Sequence, residues 1–206
     1  MRHARWVAVF AVAVAGCAGP ATQTGSATDA EVSRVLHASF TSRGQATVDR
    51  LDQDEVQRAC SDAQGKPLPR DVAESLQKSQ LATVKYPADG KLMGDWKSGE
   101  KITQSGVGKQ YSDDPSAVAG GNCYACHQLT KQENAYGTIG PSLLGFGRTR
   151  GYSPEMQKYV YAKVYNADAF LACTQMPRFG HMGILTEQQI RDVVALLMDP
   201  KSPVNQ

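Results

Sequence analysis

The run Cys123-Tyr124-Ala125-Cys126-His127 places two thiols three residues apart and an imidazole directly after the second thiol. Residues at this spacing lie about one helical turn from each other, so both thiols can reach the two vinyl groups on one edge of a porphyrin. The His127 imidazole then points at the iron from the same turn. This pattern is typical of c-type haem attachment, and it predicts one covalent haem c.

Two other kinds of site also use a Cys-x-x-Cys pair. A zinc knuckle needs a second ligand pair of similar spacing, which the sequence lacks. A thioredoxin-like redox site follows a strand in a βαβ pattern, and no such pattern surrounds Cys123. The haem interpretation is therefore favoured over both.

A short turn follows the motif at Ile139-Gly140-Pro141-Ser142. It resembles the Gly-Pro loop of class I cytochromes c, in which a proline carbonyl accepts the N–H of the proximal imidazole. Such a bond fixes the ring and tunes the iron. Gly-Pro is also a common turn without any ligand role, and that alternative stays open here.

Helix signals on both sides of the motif predict an all-α fold. Ser153 before Pro154 predicts one helix start, and Thr186 with Gln189 forms a capping box that opens the last helix. Class I cytochromes c end with such a helix packed across one near the domain start, and its counterpart here would span 94–105. We therefore expect a class I cytochrome c-like domain over residues 85–206.

The sixth iron ligand is expected in the loop between the last two helices. Met176 lies there and precedes Pro177, which prevents helix. Apart from Met182 in the same loop, the other methionines of the mature chain lie upstream of the motif or inside predicted helices, where methionine is more often core filler. A Met176 thioether would stabilise ferrous iron and exclude substrates, which predicts an electron carrier. His181, Met182 and an open position remain alternatives, and the open one would permit a peroxidase-like or sensing role.

The first sixteen residues have the pattern of an export signal, with Arg2 and Arg5 ahead of the apolar run 6–15. This run is shorter than the roughly 20 apolar residues that cross a bilayer. Val14-Ala15-Gly16-Cys17 resembles a bacterial lipobox, which predicts a lipidated Cys17 and a flexible tether over 17–28. Ordinary cleavage that discards Cys17 is the alternative. Either route predicts export to the periplasm, and the lipobox route adds a lipid anchor as the only membrane contact.

Charge and cysteine usage agree with export. Without Arg2 and Arg5 the chain has 20 basic and 20 acidic side chains, so no basic field is available for nucleic acid. Cys60 and Cys173 are the thiols left after lipid and haem are assigned, and an oxidising compartment favours their pairing as a disulfide. Two buried thiols, or a reactive pair, are the alternatives.

Residues 29–84 are predicted to form an N-terminal helical extension in three pieces. Val32, Val35, Leu36 and Phe40 share one face of the first, the second is interrupted near 52–54, and the third begins after Pro69. The region has one histidine, His37, and no clustered ligands, so we expect no catalytic site there and a surface position for His37.

Several stretches outside the haem motif resemble one family. They are Tyr86-Pro87-Ala88-Asp89-Gly90, Met93-Gly94-Asp95-Trp96, residues 173–183, residues 184–190 and residues 199–205. These look like SoxX, the monohaem cytochrome subunit of the SoxAX thiosulfate-oxidising complex. The resemblance covers about residues 85–205. Residues 29–84 exceed the N-terminal region of compact members, which suggests a variant class.

The resemblance implies a heterodimer with SoxA, a dihaem or monohaem cytochrome. In that family thiosulfate is joined oxidatively to a cysteine of the carrier SoxYZ, and electrons leave to a small acceptor cytochrome c. The sulfur chemistry occurs at a cysteine-ligated haem of SoxA. This chain would then be the non-catalytic electron-transfer subunit of an L-cysteine S-thiosulfotransferase. An electron-carrier or haem-sensor module of another periplasmic oxidoreductase is the alternative.

Overall fold

The computed structural model describes residues 28–206. Seven α-helices occur in this part of the chain, named in order: α1 Asp29–Ser39, α2 Glu55–Asp62, α3 Arg70–Ala82, α4 Trp96–Gln104, α5 Phe146–Arg150, α6 Pro154–Tyr165 and α7 Glu187–Met198. Short 3-10 turns occupy Val48–Leu51, Cys123–Ala125, Ala167–Ala169 and Pro203–Asn205. The described residues form no strand, and their one β pairing is an isolated bridge between Arg43 and Ala46. The predicted all-α class is confirmed.

The centre of the fold is the crossing of α4 and α7, as expected for a class I cytochrome c. A methyl group at Gly99 would overlap the backbone of Asp192, so glycine allows the two helices to approach closely. The Asp95 N–H donates to Oδ1 of Asp192 at 2.9 Å. The Asp95 side chain also caps α4, and the helix therefore begins at Trp96, slightly later than the sequence pattern suggested.

Helix α7 is buried along most of its length. Its apolar side chains form the main core with Ile102 of α4 and Tyr161 of α6. The predicted capping box at Thr186 and Gln189 is present, with bonds in both directions. At the other end the buried Asn205 side chain donates to the carbonyls of Leu197 and Asp199, which the helix leaves without internal partners.

The extension packs on the cytochrome domain through α2 and α3. Val56 of α2 and Leu76 of α3 are buried, and α3 lies against the turn at Ala167–Ala169. Helix α1 differs, since none of its residues is buried. His37 lies at the surface, as expected, with Nε2 3.0 Å from Oδ1 of Asp52.

No helix between residues 28 and 206 is long and apolar enough to cross a membrane. The predicted signal peptide, Cys17 and all of the tether except Thr28, which caps α1, lie outside the described residues.

Candidate haem site

The Cys123–His127 segment forms one tight turn. The N–H groups of Cys126 and His127 both donate to the Cys123 carbonyl, at 3.1 and 2.9 Å. The following loop is bonded back onto this turn, with Gly137 N donating to the Tyr124 carbonyl at 2.9 Å and Gly140 N to that of Cys126 at 2.9 Å. The two thiols and the imidazole are therefore presented from one small rigid unit.

The His127 ring is oriented as an iron ligand requires. Its Nδ1 lies 2.7 Å from the Pro141 carbonyl oxygen, and because a carbonyl can only accept, Nδ1 must carry the proton. The lone pair of Nε2 then remains available to a metal. Gly140 packs directly on the ring, where any side chain would overlap the imidazole. The Pro141 partner suggested by the Gly-Pro turn is thus present, and the site fits a haem iron.

The two motif thiols are suited to attachment and unsuited to redox exchange. They are not paired with each other. Burial, and to a smaller extent the nearby Cys126, raises the pKa of the Cys123 thiol to about 12. Exchange-active Cys-x-x-Cys sites instead have a thiol of lowered pKa. Among residues 28–206 no three His, Cys, Asp or Glu side chains are grouped to hold a metal, whereas a porphyrin brings four nitrogen ligands of its own.

The ligand loop, defined here as residues 173–183, contains the candidates for the sixth ligand. Met176 is partly buried and packs against the core that Cys123 also contacts. Met182 is 53% exposed. His181 is partly buried, and burial together with Arg178 lowers its pKa. Of the two methionines, Met176 is the one packed against that core.

Two tethers of the ligand loop run to the extension. Cys60 of α2 and Cys173 form a disulfide with a Cα separation of 5.5 Å. Arg178, only 6% exposed, donates to Oδ2 of Asp54 at 2.6 Å. Although burial would raise the pKa of Asp54, the bonds from Gln57 and Arg178 hold it below its usual value.

The ion pairs of Arg178 could not be predicted from the sequence. Besides Asp54, its guanidinium lies 3.5 Å from Oδ2 of Asp168 and 3.5 Å from Oε1 of Gln80. These partners come from three separate parts of the chain, so no local spacing joins them. The one signal in the sequence is that Arg178 lies two positions after Met176. On its own this residue cannot be distinguished from an ordinary surface arginine.

Comparisons with known proteins find three similarities. Residues 108–200 match the cytochrome c family. An uncharacterized lipoprotein of Aquifex aeolicus (strain VF5) is 43% identical over 157 residues, which cover 74% of this chain and 73% of the relative. The crystal structure of SoxXA from P. pantotrophus is 28% identical and covers 59% of this chain and 97% of that chain, with a TM-score of 0.39.

Fold and site together define an all-α class I c-type cytochrome. Residues 108–200 form a cytochrome c family domain, with haem c as its covalent cofactor, and the chain shares its own family with the Aquifex lipoprotein.

Proposed function

We propose that this chain is an electron-transfer subunit whose haem is attached through Cys123 and Cys126, with His127 and Met176 as the iron ligands. The observation that carries the proposal is the His127 imidazole, held between Gly140 and the Pro141 carbonyl with Nε2 available. The bound haem supplies a one-electron redox couple.

The roles proposed for these residues favour electron transfer over catalysis. Two thioether links from Cys123 and Cys126 keep the haem on the turn. The Pro141 carbonyl fixes the His127 tautomer and makes the imidazole Nε2 a better electron-pair donor to iron. A Met176 thioether, as the second protein ligand, would stabilise the reduced form and exclude other ligands. A site filled on both sides exchanges electrons without binding substrate.

We infer further that the complex served is of the SoxAX type. The sequence stretches at 86–96, 173–190 and 199–205 support this, as stated for the SoxX resemblance. On this proposal a SoxA-like cytochrome is the partner and the site of sulfur chemistry. It couples thiosulfate to a cysteine of SoxYZ, and this chain passes the electrons to a small acceptor cytochrome c.

The test combines the purified haem-loaded chain with the SoxA-like cytochrome and SoxYZ of its own organism. We expect the chain to elute with the SoxA-like protein on size exclusion, and its haem to be reduced when thiosulfate is added. Omitting SoxYZ is the control, and it should abolish the reduction. Separate elution with no thiosulfate-dependent reduction would favour the second candidate, a carrier or sensor module of another periplasmic oxidoreductase.

We also propose periplasmic location with a lipid on Cys17. The lipobox-like run 14–17 supports this, and the Aquifex relative is itself described as a lipoprotein. Expression with radiolabelled palmitate should label the full chain in the membrane fraction, while Cys17→Ala should remove the label. Equal labelling of both proteins would contradict the assignment.

A further inference from the structure

Three contacts connect the extension to the ligand loop on both sides of Met176. The Cys60–Cys173 disulfide attaches α2 three residues before Met176. The Asp54–Arg178 ion pair attaches the start of α2 two residues after it, at 2.6 Å. Gln80 of α3 adds a weaker contact to the same guanidinium at 3.5 Å.

Burial of Arg178 makes its partners necessary, because removing one of them leaves a buried charge without compensation. Its side chain is 7% exposed, and a guanidinium removed from water is stable only when paired and hydrogen-bonded. Asp54 supplies the short partner, and the buried Asp168 lies at 3.5 Å. The position of Arg178, and therefore of the adjacent loop, depends on where the first turn of α2 lies.

Helix α3 is itself fixed to the cytochrome domain, so the extension is a rigid support. Asn166, fully buried at the end of α6, donates to Oε1 of Gln80 at 2.9 Å and to Oγ1 of Thr83 at 3.0 Å. The extension thus lies between two parts of one domain, α6 and the ligand loop, and bonds to both.

The backbone of the loop shows the same constraint. Cys173 has φ +65°, in the left-handed region that residues other than glycine adopt only at an energetic cost. Such a conformation persists where its surroundings determine it. Here the surroundings include the covalent link to Cys60 of α2.

We propose that residues 29–84 are a clamp that holds Met176 at the sixth coordination position, with Asp54 and Cys60 as its positioning residues. This rests on the ligand assignment made under Proposed function. A thioether leaves iron only if the loop that carries it moves. The disulfide and the ion pair oppose that motion, so the extension sets how readily an external ligand replaces Met176.

The experiment measures imidazole binding to the ferric haem of the full holoprotein, followed by loss of the far-red sulfur-to-iron absorption band. Asp54→Asn removes the charge but keeps an N-cap residue of equal quality for α2. A Cys60→Ser/Cys173→Ser double variant removes the covalent link alone. Asp52→Asn is the matched control, since Asp52 is exposed, pairs with His37 and lies two residues away.

We expect Asp54→Asn and the double cysteine variant each to bind imidazole at least about fivefold more tightly, the lower end of coupling between protein sites. Asp52→Asn should match the unaltered protein. If Asp54→Asn fails to yield holoprotein, the double cysteine variant decides. Unchanged imidazole binding in the folded variants would overturn the clamp.

A Met176→Ala holoprotein separates this proposal from the one beneath it. Loss of the far-red band in Met176→Ala, combined with unchanged imidazole binding in the clamp variants, overturns the clamp and leaves the ligand assignment in place. Persistence of the band in Met176→Ala overturns the ligand assignment, and the clamp with it.

Discussion

At the scale of single residues, the site depends on the atoms that touch the His127 imidazole and on Met176, the second ligand that we propose. His127 has a fixed tautomer because Pro141 supplies an acceptor and Gly140 supplies space. Met176 is distinguished from Met182 by packing, since Met182 is exposed while Met176 contacts the core. Two substitutions test these two roles.

Met176→Ala should abolish the far-red band of the ferric protein and lower its reduction potential, because alanine cannot reach the iron and the thioether favours the ferrous state. Absorption spectroscopy and redox titration measure the two effects. Met182→Ala is the control and should keep the band. A band that disappears in Met182→Ala instead would move the ligand to Met182.

Gly140→Ala should lower the fraction of chains that carry low-spin haem, because the new methyl group would overlap the His127 ring and displace it. Intact-protein mass spectrometry gives the haem content, and the ferric spectrum gives the spin state. Gly106→Ala is the control, since a methyl there meets only the Asn122 side chain, at 3.3 Å or more. Equal haem content and spectra for both variants would contradict the close contact.

At the scale of elements, caps and crossings determine where each helix begins, ends and packs. The C-terminal segment shows this, because the Asn205 side chain folds back to serve carbonyls of Leu197 and Asp199 at 3.1 and 2.9 Å. The residues after α7 are therefore part of the core, with Val204 fully buried.

Asn205→Ala should reduce the free energy of unfolding by about 1–3 kcal/mol, because buried carbonyls at the end of α7 lose their donor. Denaturant unfolding of the holoprotein measures the difference. Gln206→Ala is the control, since Gln206 is exposed and should change the free energy by less than about 0.5 kcal/mol. A loss in Gln206→Ala as large as in Asn205→Ala would contradict the capping role.

Elements also show what sequence could predict. Local patterns predicted the Ser153 cap with Pro154 and the capping box at Thr186, because caps depend on neighbouring residues. The crossing of α4 with α7 was predicted from the resemblance to class I cytochromes c. The Arg178 pairs were not predictable in this way. They join residues far apart in the chain, and their strength comes from burial, which no local spacing reveals.

At the scale of the whole molecule, the extension and the cytochrome domain form one folded structure. Helices α2 and α3 bury Val56 and Leu76 and bond to the ligand loop and to Asn166. Helix α1 is not packed in this way. The apolar residues Val32, Val35 and Phe40 share a face in the sequence pattern, yet they stay exposed. The helical pattern predicted the existence of α1, and could not show which surface it covers.

Removing the disulfide should destabilise the whole chain. Cys60 and Cys173 are 113 residues apart, and closing a loop of about 100 residues is worth up to roughly 4.7 kcal/mol, with typical measured values of about 2–4 kcal/mol. Cys60→Ser/Cys173→Ser should lose about that much in equilibrium unfolding. A thiol reductant should produce the same loss in the unaltered protein and none in the variant. Equal stability without reductant would contradict the prediction.

The covalent ring closed by Cys60 and Cys173 encloses the segment that receives the haem. Maturation is therefore sensitive to which cysteines pair before the haem is attached. Four exported thiols can pair completely in three ways, and each of the three consumes Cys123 and Cys126. Thioether formation needs Cys123 and Cys126 reduced, so the Cys60–Cys173 bridge is compatible with haem attachment and none of the complete pairings is. Burial, which raises the pKa of Cys123, disfavours the thiolate form that thiol–disulfide exchange at this residue would require.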